Sequence, residues 1–446
     1  MSETPDGSDE CGADQWRDGA TCRDLTVCAD DELEETPPTA VSDRVCVDER
    51  GCSTAPDREC SVECPCDSGQ GVCTADDQCK SGATCVSGSG KKVGRSGDTC
   101  LAAHCNNDQL DSGETSVDCG GECGCRATFE IVTVSGLPAN STLTELSTMS
   151  RDGKRFGGYL GRGNNGFPAA IAADGKVTEL ESYGSGGRID ASSADGNVLV
   201  GLVGCANPPS CSDTTWSIAQ WTGTTAPKVI TSEGSPRRIS SSGSIIVGDY
   251  YESSADQQQV FIISGNQRQS IAEMDWAGGV TPDGRYVAGR LRTGPQGGLW
   301  YAQTQKITKL GSTSWVRTNI TGVNGTDPVV IGDGYTKDDT NIGFRWKGGV
   351  LTELGFLEGG KYTLPNAVSF DGSTIVGTTG TNAFQIAFIW TEEKKLVSLL
   401  DELASRGLEL PVDLTLRYAH FISDDGKIIV GVEHTQPFSF WRVVLD

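Results

Sequence analysis

The stretch FISDDGKIIVG occupies residues 421–431, and near-copies of it stand at 239–248 (ISSSGSIIVG), 280–289 (VTPDGRYVAG) and 367–377 (AVSFDGSTIVG). A polar turn carrying glycine followed by a β-branched run is a hairpin signal. Glycine accepts positive φ there, and aspartate bonds the turn backbone. The turn glycine can be followed through seven copies, at Gly153, Gly196, Gly243, Gly284, Gly325, Gly372 and Gly426. Spacings of about 41 to 54 residues, with several short strands per repeat, point to a β-propeller; solenoid repeats usually run 20–30 residues.

Within each repeat the residues before the turn form an inner strand, A. The run after it is strand B, closing on a glycine (Gly201, Gly248, Gly289, Gly332, Gly377, Gly431) that permits close backbone approach. Strand C tends to end in tryptophan, at Trp221, Trp300, Trp346, Trp390 and Trp441, read as packing between blades at one recurring position. Ile263 and Ala172 stand where repeats three and one should have theirs. Strand D follows, as in KITKLG (306–311). The last repeat lacks strand D, while ATFEIVTVSGL (127–137) is a strand without a repeat. Pairing the two predicts an all-β, seven-bladed propeller over 127–446, closed by its N- and C-terminal strands. One helix is expected, capped by Ser398 with Asp401 reaching back and ended by Gly407.

Residues 1–125 differ in kind. They hold 27 acidic against 9 basic residues and 16 of the 18 cysteines. So small and polar a segment cannot bury a conventional core, and crosslinks must substitute. Zinc sites favour paired CxxC units; here the spacings are irregular and the whole chain has three histidines. The expectation is a disulfide-stapled, low-secondary-structure region over 11–125, in modules of about 11–50, 52–100 and 105–125, after a disordered acidic segment, 1–10. Cys205 and Cys211, bracketing CANPPSC, are expected to form a further disulfide. Clustered carboxylates at Asp108, Asp111 and Glu114 raise a calcium reading, but the EF-hand spacing is missing and solvated turns are the plainer account.

Three resemblances follow from these residues. The phrase I-S-x-D-G-S-x-I-V-G, then A-F-x-W and L-x-x-L-G, resembles the extracellular HAF-repeat family of bacterial proteins over about 300 residues, most specifically at 396–445. Residues 22–46 resemble cysteine-rich modules of the tumour-necrosis-factor-receptor type, which also occur in secreted bacterial proteins. CNNDQLDSGETSVDCGGECGC (105–125) resembles a bacterial surface-protein motif, with Asp108 where that motif has glycine. Together they imply a propeller at a cell surface, and no particular activity.

The net charge of −24 argues against nucleic acid and against electrostatic docking on anionic lipid. Disulfides imply export. The opening MSETPDGSDECGADQW shows no leader, which leaves an upstream start, another export route or a cytoplasmic chain. No run is long and apolar enough for a spanning helix. The sequence has no GxSxG, HExxH or phosphate-loop motif, and His104, His420 and His434 form no set. No enzyme activity and no cofactor are expected, and the chain is read as a monomer. Loops joining D to A and B to C share one propeller face. They carry Tyr250, Tyr251, Trp276, Trp315, Tyr335 and Tyr362, with Asp338 and Asp339. Exposed aromatics among acids suit stacking on sugar rings or gripping a protein. The expected role is an extracytoplasmic, cell-surface interaction module for a glycan or surface protein, with the cysteine-rich segment as stalk. A polysaccharide hydrolase or lyase, or a purely structural surface component, is the alternative.

Overall fold

A computed structural model describes residues 15–107 and 127–445, except 19–20, 29–32, 48–51, 54–57, 90–91, 93–96, 164, 185, 205–215, 224–225, 382–383, 409, 412–413 and 434–437. The expected Cys205–Cys211 disulfide, the acidic cluster Asp108, Asp111 and Glu114, and residues 1–10 lie outside the described residues. The chain divides into two compact units, residues 1–128 with 405–408, and 129–404 with 409–446.

The larger unit is a β-propeller. Repeat two shows the pattern: strand A is Gly187–Ser192, B is Val198–Val203, C is Ser217–Thr222 and D is Lys228–Thr231, an antiparallel four-stranded sheet in sequence order. Repeats one (142–179), three (235–271) and four (274–310) form separate sheets of the same order. Repeats five (317–353) and six (362–398) are two such sheets joined by one parallel pairing, Asn341 with Tyr362. Repeat seven supplies Ala419–Ile422, Ile428–Glu433 and Ser439–Leu445, and Ala127–Thr133 adds to its outer edge as the fourth strand.

The core lies between successive sheets. One cluster joins Val200 and Ile218 of repeat two to Ile246 and Phe261 of repeat three, and another joins Ile331 of repeat five to Ile375 and Trp390 of repeat six. Each sheet is therefore apolar on both faces, which is why strand B reads as a continuous β-branched run rather than an alternating one.

The A–B turn is built identically in six repeats. The hydroxyl of Ser150, Ser193, Ser240, Thr281, Ser369 or Ser423 accepts the N–H five residues on, at 2.8–3.1 Å. All seven turn glycines have positive φ, between 67° and 81°. The sequence reading gave the turn to Asp and Gly; the hydroxyl two residues before the Asp is equally part of it. Repeat five departs: by register Asn324 stands in that place, and its side-chain amide donates to Val368 O at 3.0 Å.

The strand-B glycine has a specific cause. Every strand A carries a β-bulge immediately after the residue paired with that glycine, as between Ile189 and Ala191 or between Ile320 and Thr321–Gly322. The bulge drives a strand-A carbonyl against the glycine, so a Cβ at Gly201 would collide with Arg188 O and one at Gly377 with Leu364 O. Gly158 plays this part in repeat one.

The tryptophans need correction. Trp221, Trp300, Trp346 and Trp390 do share a register, each opposite the strand-B residue two before the glycine. Trp441 pairs instead with Gly431 itself, the place taken by Phe344 and Phe388 in repeats five and six. Its indole fills the space a Gly431 side chain would need. In repeat one the equivalent residue is Ile171, not Ala172; Ile263 holds it in repeat three. Trp221, Trp300, Trp390 and Trp441 are buried, and Trp346 is half-buried.

The helix runs Leu399–Ser405. Ser398 Oγ accepts the Asp401 N–H at 3.0 Å and donates to the Asp401 carboxylate at 2.6 Å, and Gly407 follows at φ 90°. The reciprocal cap expected from sequence is present.

The smaller unit consists of hairpins, 15–18 with 21–24, 33–36 with 45–47 and 83–86 with 99–102. Five disulfides are described: Cys28–Cys46, Cys52–Cys64, Cys60–Cys66, Cys73–Cys85 and Cys79–Cys100, with Cα atoms 5.5–5.8 Å apart. Its main buried cluster is made of cysteines, Cys60, Cys66, Cys73 and Cys100. Among the described residues, no helix is long and apolar enough to cross a membrane.

Candidate functional site

Antiparallel order places the ends of B and D and the starts of A and C at one face of the propeller. A pocket of about 690 Å3 opens there between repeats five, six and seven. Asp338 and Asp339 reach it from the B–C loop of repeat five, Lys361 and Tyr362 from the start of strand A of repeat six, Gln385 from strand C, and Tyr418 and His420 from repeat seven. Tyr335 donates to the Asp339 carboxylate. That hydrogen bond holds the Tyr335 phenol above its ordinary value. Tyr362 donates to Thr381 O at 3.2 Å, and burial raises its pKa. Tyr418 donates to Gln385. Behind them Asp333 is buried and accepts from the amides of Asn319 and Asn341, at 3.1 and 3.0 Å; burial raises its carboxyl pKa. The pocket thus offers aromatic faces, amides and two solvent-side carboxylates, the groups that recognise hydroxyl-rich ligands.

The structure sorts the six aromatics expected from sequence. Tyr362 lines the pocket, with Tyr335 joined to it through Asp339. Tyr251 is 62% exposed on repeat three and Trp276 is 36% exposed on repeat four, where the Arg237 guanidinium stacks on the indole at 3.9 Å. Tyr250 is half-buried beneath Arg268, 4.0 Å over its ring. Trp315 is a correction: it is buried, 5.5 Å from Phe344, in the core between repeats four and five. The loop that carries it turns inward because Gly334 leaves room for its ring. Three exposed aromatics on the same face escaped the sequence reading, Phe384 at 76%, Trp216 at 41% and Phe356 at 38%. Phe384 and Trp216 each precede a strand C, and that shared position was the available signal for those two.

The second constellation lines the central channel. The bulges put Ser147, Asp190, Thr321, Asn366 and His420 around a cavity of about 190 Å3. Three of them tie their own repeat to the next. Ser147 donates to Ile189 O, Thr321 to Pro365 O at 2.6 Å and Asn366 to Ala419 O at 2.9 Å. In each case the acceptor is the residue just before the neighbour's bulge. Asp190 differs: one carboxylate oxygen takes Arg188 at 2.9 Å and the other has no partner. Burial pushes Asp190 up to about 6, against the opposing pull of Arg188.

At the far mouth Arg151 reaches across to Asn324 at 2.5 Å and Asp424 at 3.0 Å. Around this mouth the A–B turns form a chain of backbone bonds: Arg151 N–H to Ala194 O, Ala194 N–H to Ser241 O, Ser241 N–H to Pro282 O, Phe370 N–H to Asp424 O and Asp424 N–H to Arg151 O. Pro282 has no N–H to continue it.

No family model and no curated protein matches the chain. Among solved structures it is similar to an oligogalacturonate lyase from Vibrio parahaemolyticus, at 11% identity and TM-score 0.47, over 71% of this chain and 97% of that one. It is also similar to the Cps50 (Swd1) β-propeller domain of Myceliophteria thermophila, at 12% identity and TM-score 0.45, over 70% and 99%. A third is TolB from Acinetobacter baumannii, at 14% identity and TM-score 0.39; the match covers 55% of this chain and 63% of that one. The fold itself rests on the sheet order above.

Proposed function

We propose that this chain is an extracytoplasmic interaction protein. It is a seven-bladed propeller, closed by its terminal strands, that uses the D–A/B–C face to hold a glycan or a surface protein. The exposed aromatics on that face, beside a roomy pocket of tyrosines, amides and acids, carry the reading. The edge pairing of Ala127–Thr133 with repeat seven supports closure. The disulfides support an oxidising compartment. The resemblance to extracellular HAF repeats and the stalk role of the cysteine-rich region belong to the same proposal, as does binding rather than catalysis.

The test is a glycan-array screen of the full, oxidised chain, with and without calcium. A selective hit weakened tenfold or more by Tyr362→Phe, Trp276→Ala or Phe384→Ala supports the reading and locates the site. Chain cleavage of a bound polysaccharide replaces it with the hydrolase or lyase alternative. A blank array together with no partner retained from cell-envelope extracts leaves the structural role.

A further inference from the structure

The channel cavity is lined by five charged or titratable side chains, and four of them are accounted for. Arg151 is paired with Asp424 at 3.0 Å, Asp190 with Arg188 at 2.9 Å, and His420 Nδ1 accepts the Val432 N–H at 3.3 Å. The fifth is Arg238, at the end of strand A of repeat three. Its one hydrogen bond runs from Nη1 to the carbonyl oxygen of Arg237, at 2.8 Å. It has no ion pair among the described residues. Its neighbour cannot neutralise it, because Arg237 is itself a cation, already taken by Asp249 at 2.6 Å. On the adjoining side repeat four presents Gly279 and Val280, with no charge.

The Arg238 side chain is exposed to the solvent of the channel. The protein atoms around it and the Arg237 charge pull its pKa down, and Asp190 only partly opposes them. A guanidinium is charged at every physiological pH and offers a fork of donors that matches a carboxylate or a tetrahedral oxyanion. One hydrogen bond to a carbonyl leaves most of that fork unused. The cavity of about 190 Å3 has the room of about six waters. It has room for a sulfate, a phosphate or a small carboxylate.

We propose that the central channel binds one small oxyanion on the Arg238 guanidinium, at a site separate from the pocket on the D–A/B–C face. The inference does not depend on the glycan reading.

The experiment is calorimetric titration of the full, oxidised chain with sodium sulfate, sodium phosphate and sodium acetate, against chloride at matched ionic strength. The expected result is saturable binding of one anion per chain, weakened at least tenfold in Arg238→Gln and less in Arg238→Lys, which keeps a point charge. Exposed Lys306→Gln should titrate like the parent. Preference for sulfate and phosphate over acetate, or the reverse, identifies the geometry of the oxyanion. Absence of saturable binding by any of the three, or an Arg238→Gln curve matching the parent, overturns the proposal. If Arg238→Gln does not fold, Asp190→Asn decides: removing the nearest competing carboxylate should tighten anion binding several-fold, and unchanged or weaker binding overturns the proposal.

Discussion

The two units solve one problem in opposite ways. Both are rich in glycine and short polar turns, and among the described residues the one α-helix, Leu399–Ser405, is too short to supply local cohesion. The propeller stacks sheets so that each buries large side chains against the next; Trp221, Phe261, Phe344 and Trp390 are almost wholly enclosed. The cysteine-rich unit has few such residues, and its buried cluster is the crosslinks themselves. In one the folded state is stabilised by apolar area; in the other the unfolded state is restricted by covalent closure. Cohesion in the propeller is therefore spread over many contacts, and in the smaller unit it is concentrated in a few bonds.

Reduction should break that contrast most visibly. Removing a native disulfide from a small domain costs about 2–5 kcal/mol, and at least five are lost together here. Mild thiol treatment should make the 52–105 region protease-sensitive while the propeller's far-ultraviolet dichroism stays unchanged. Simultaneous loss of both signals would show that the propeller, too, depends on its crosslinks.

Within the propeller the next largest effect belongs to the bulge glycines. Gly377→Ala drives a methyl into the Leu364 carbonyl and should lower stability by about 3 kcal/mol, seen as a lower midpoint in chemical denaturation. A loss under about 1 kcal/mol would mean the bulge relaxes and does not fix the glycine.

Asp190 gives a smaller effect of opposite sign. Its folded pKa, about 6, lies above the ordinary 3.8, so the folded state holds the proton more tightly than the unfolded chain. This group's contribution is greatest below about pH 4 and falls as pH rises to about 6, after which it is flat. Asp190→Asn should raise stability near pH 7.5 by on the order of 2 kcal/mol and flatten that slope. Asparagine can also donate to the next repeat, as Asn366 does. Denaturation midpoints at pH 4.5 and 7.5 check both points.

The turn hydroxyls should matter least. Ser369→Ala strands the Thr374 N–H and leaves the Asp371 carboxylate with the Ser373 N–H, for about 1 kcal/mol. A thermal-shift series across the repeats measures this ordering.

Much of the propeller could be read from the chain because its repeats are written in backbone requirements. A turn needs Gly153 or Gly426 whatever surrounds it, and a bulge needs Gly201. The Ser398 cap was readable for the same reason: a helix start has a fixed polar grammar. What escaped depends on pairing across distance. Trp441 looks like its four counterparts until register shows it opposite Gly431. Trp315 looks like a loop aromatic until Gly334 is seen to leave space beneath it. Asp190 is an ordinary strand residue until the bulge turns it to the axis. The pocket that Tyr362, Gln385 and Tyr418 share with Asp338 and Asp339 is assembled from three repeats, and no local pattern announces it.

The interrupted chain of backbone bonds at the channel mouth bears on how this molecule can drift over evolutionary time. Five junctions between neighbouring turns are held by peptide groups, which almost any substitution preserves. The two flanking repeat five are held by side chains, Arg285 to Thr326 O and Asn324 to Val368 O. Those links are heritable in a way the others are not: one codon can delete them. Repeat five, whose neighbourhood also builds the pocket, is where mutation has most purchase on the ring.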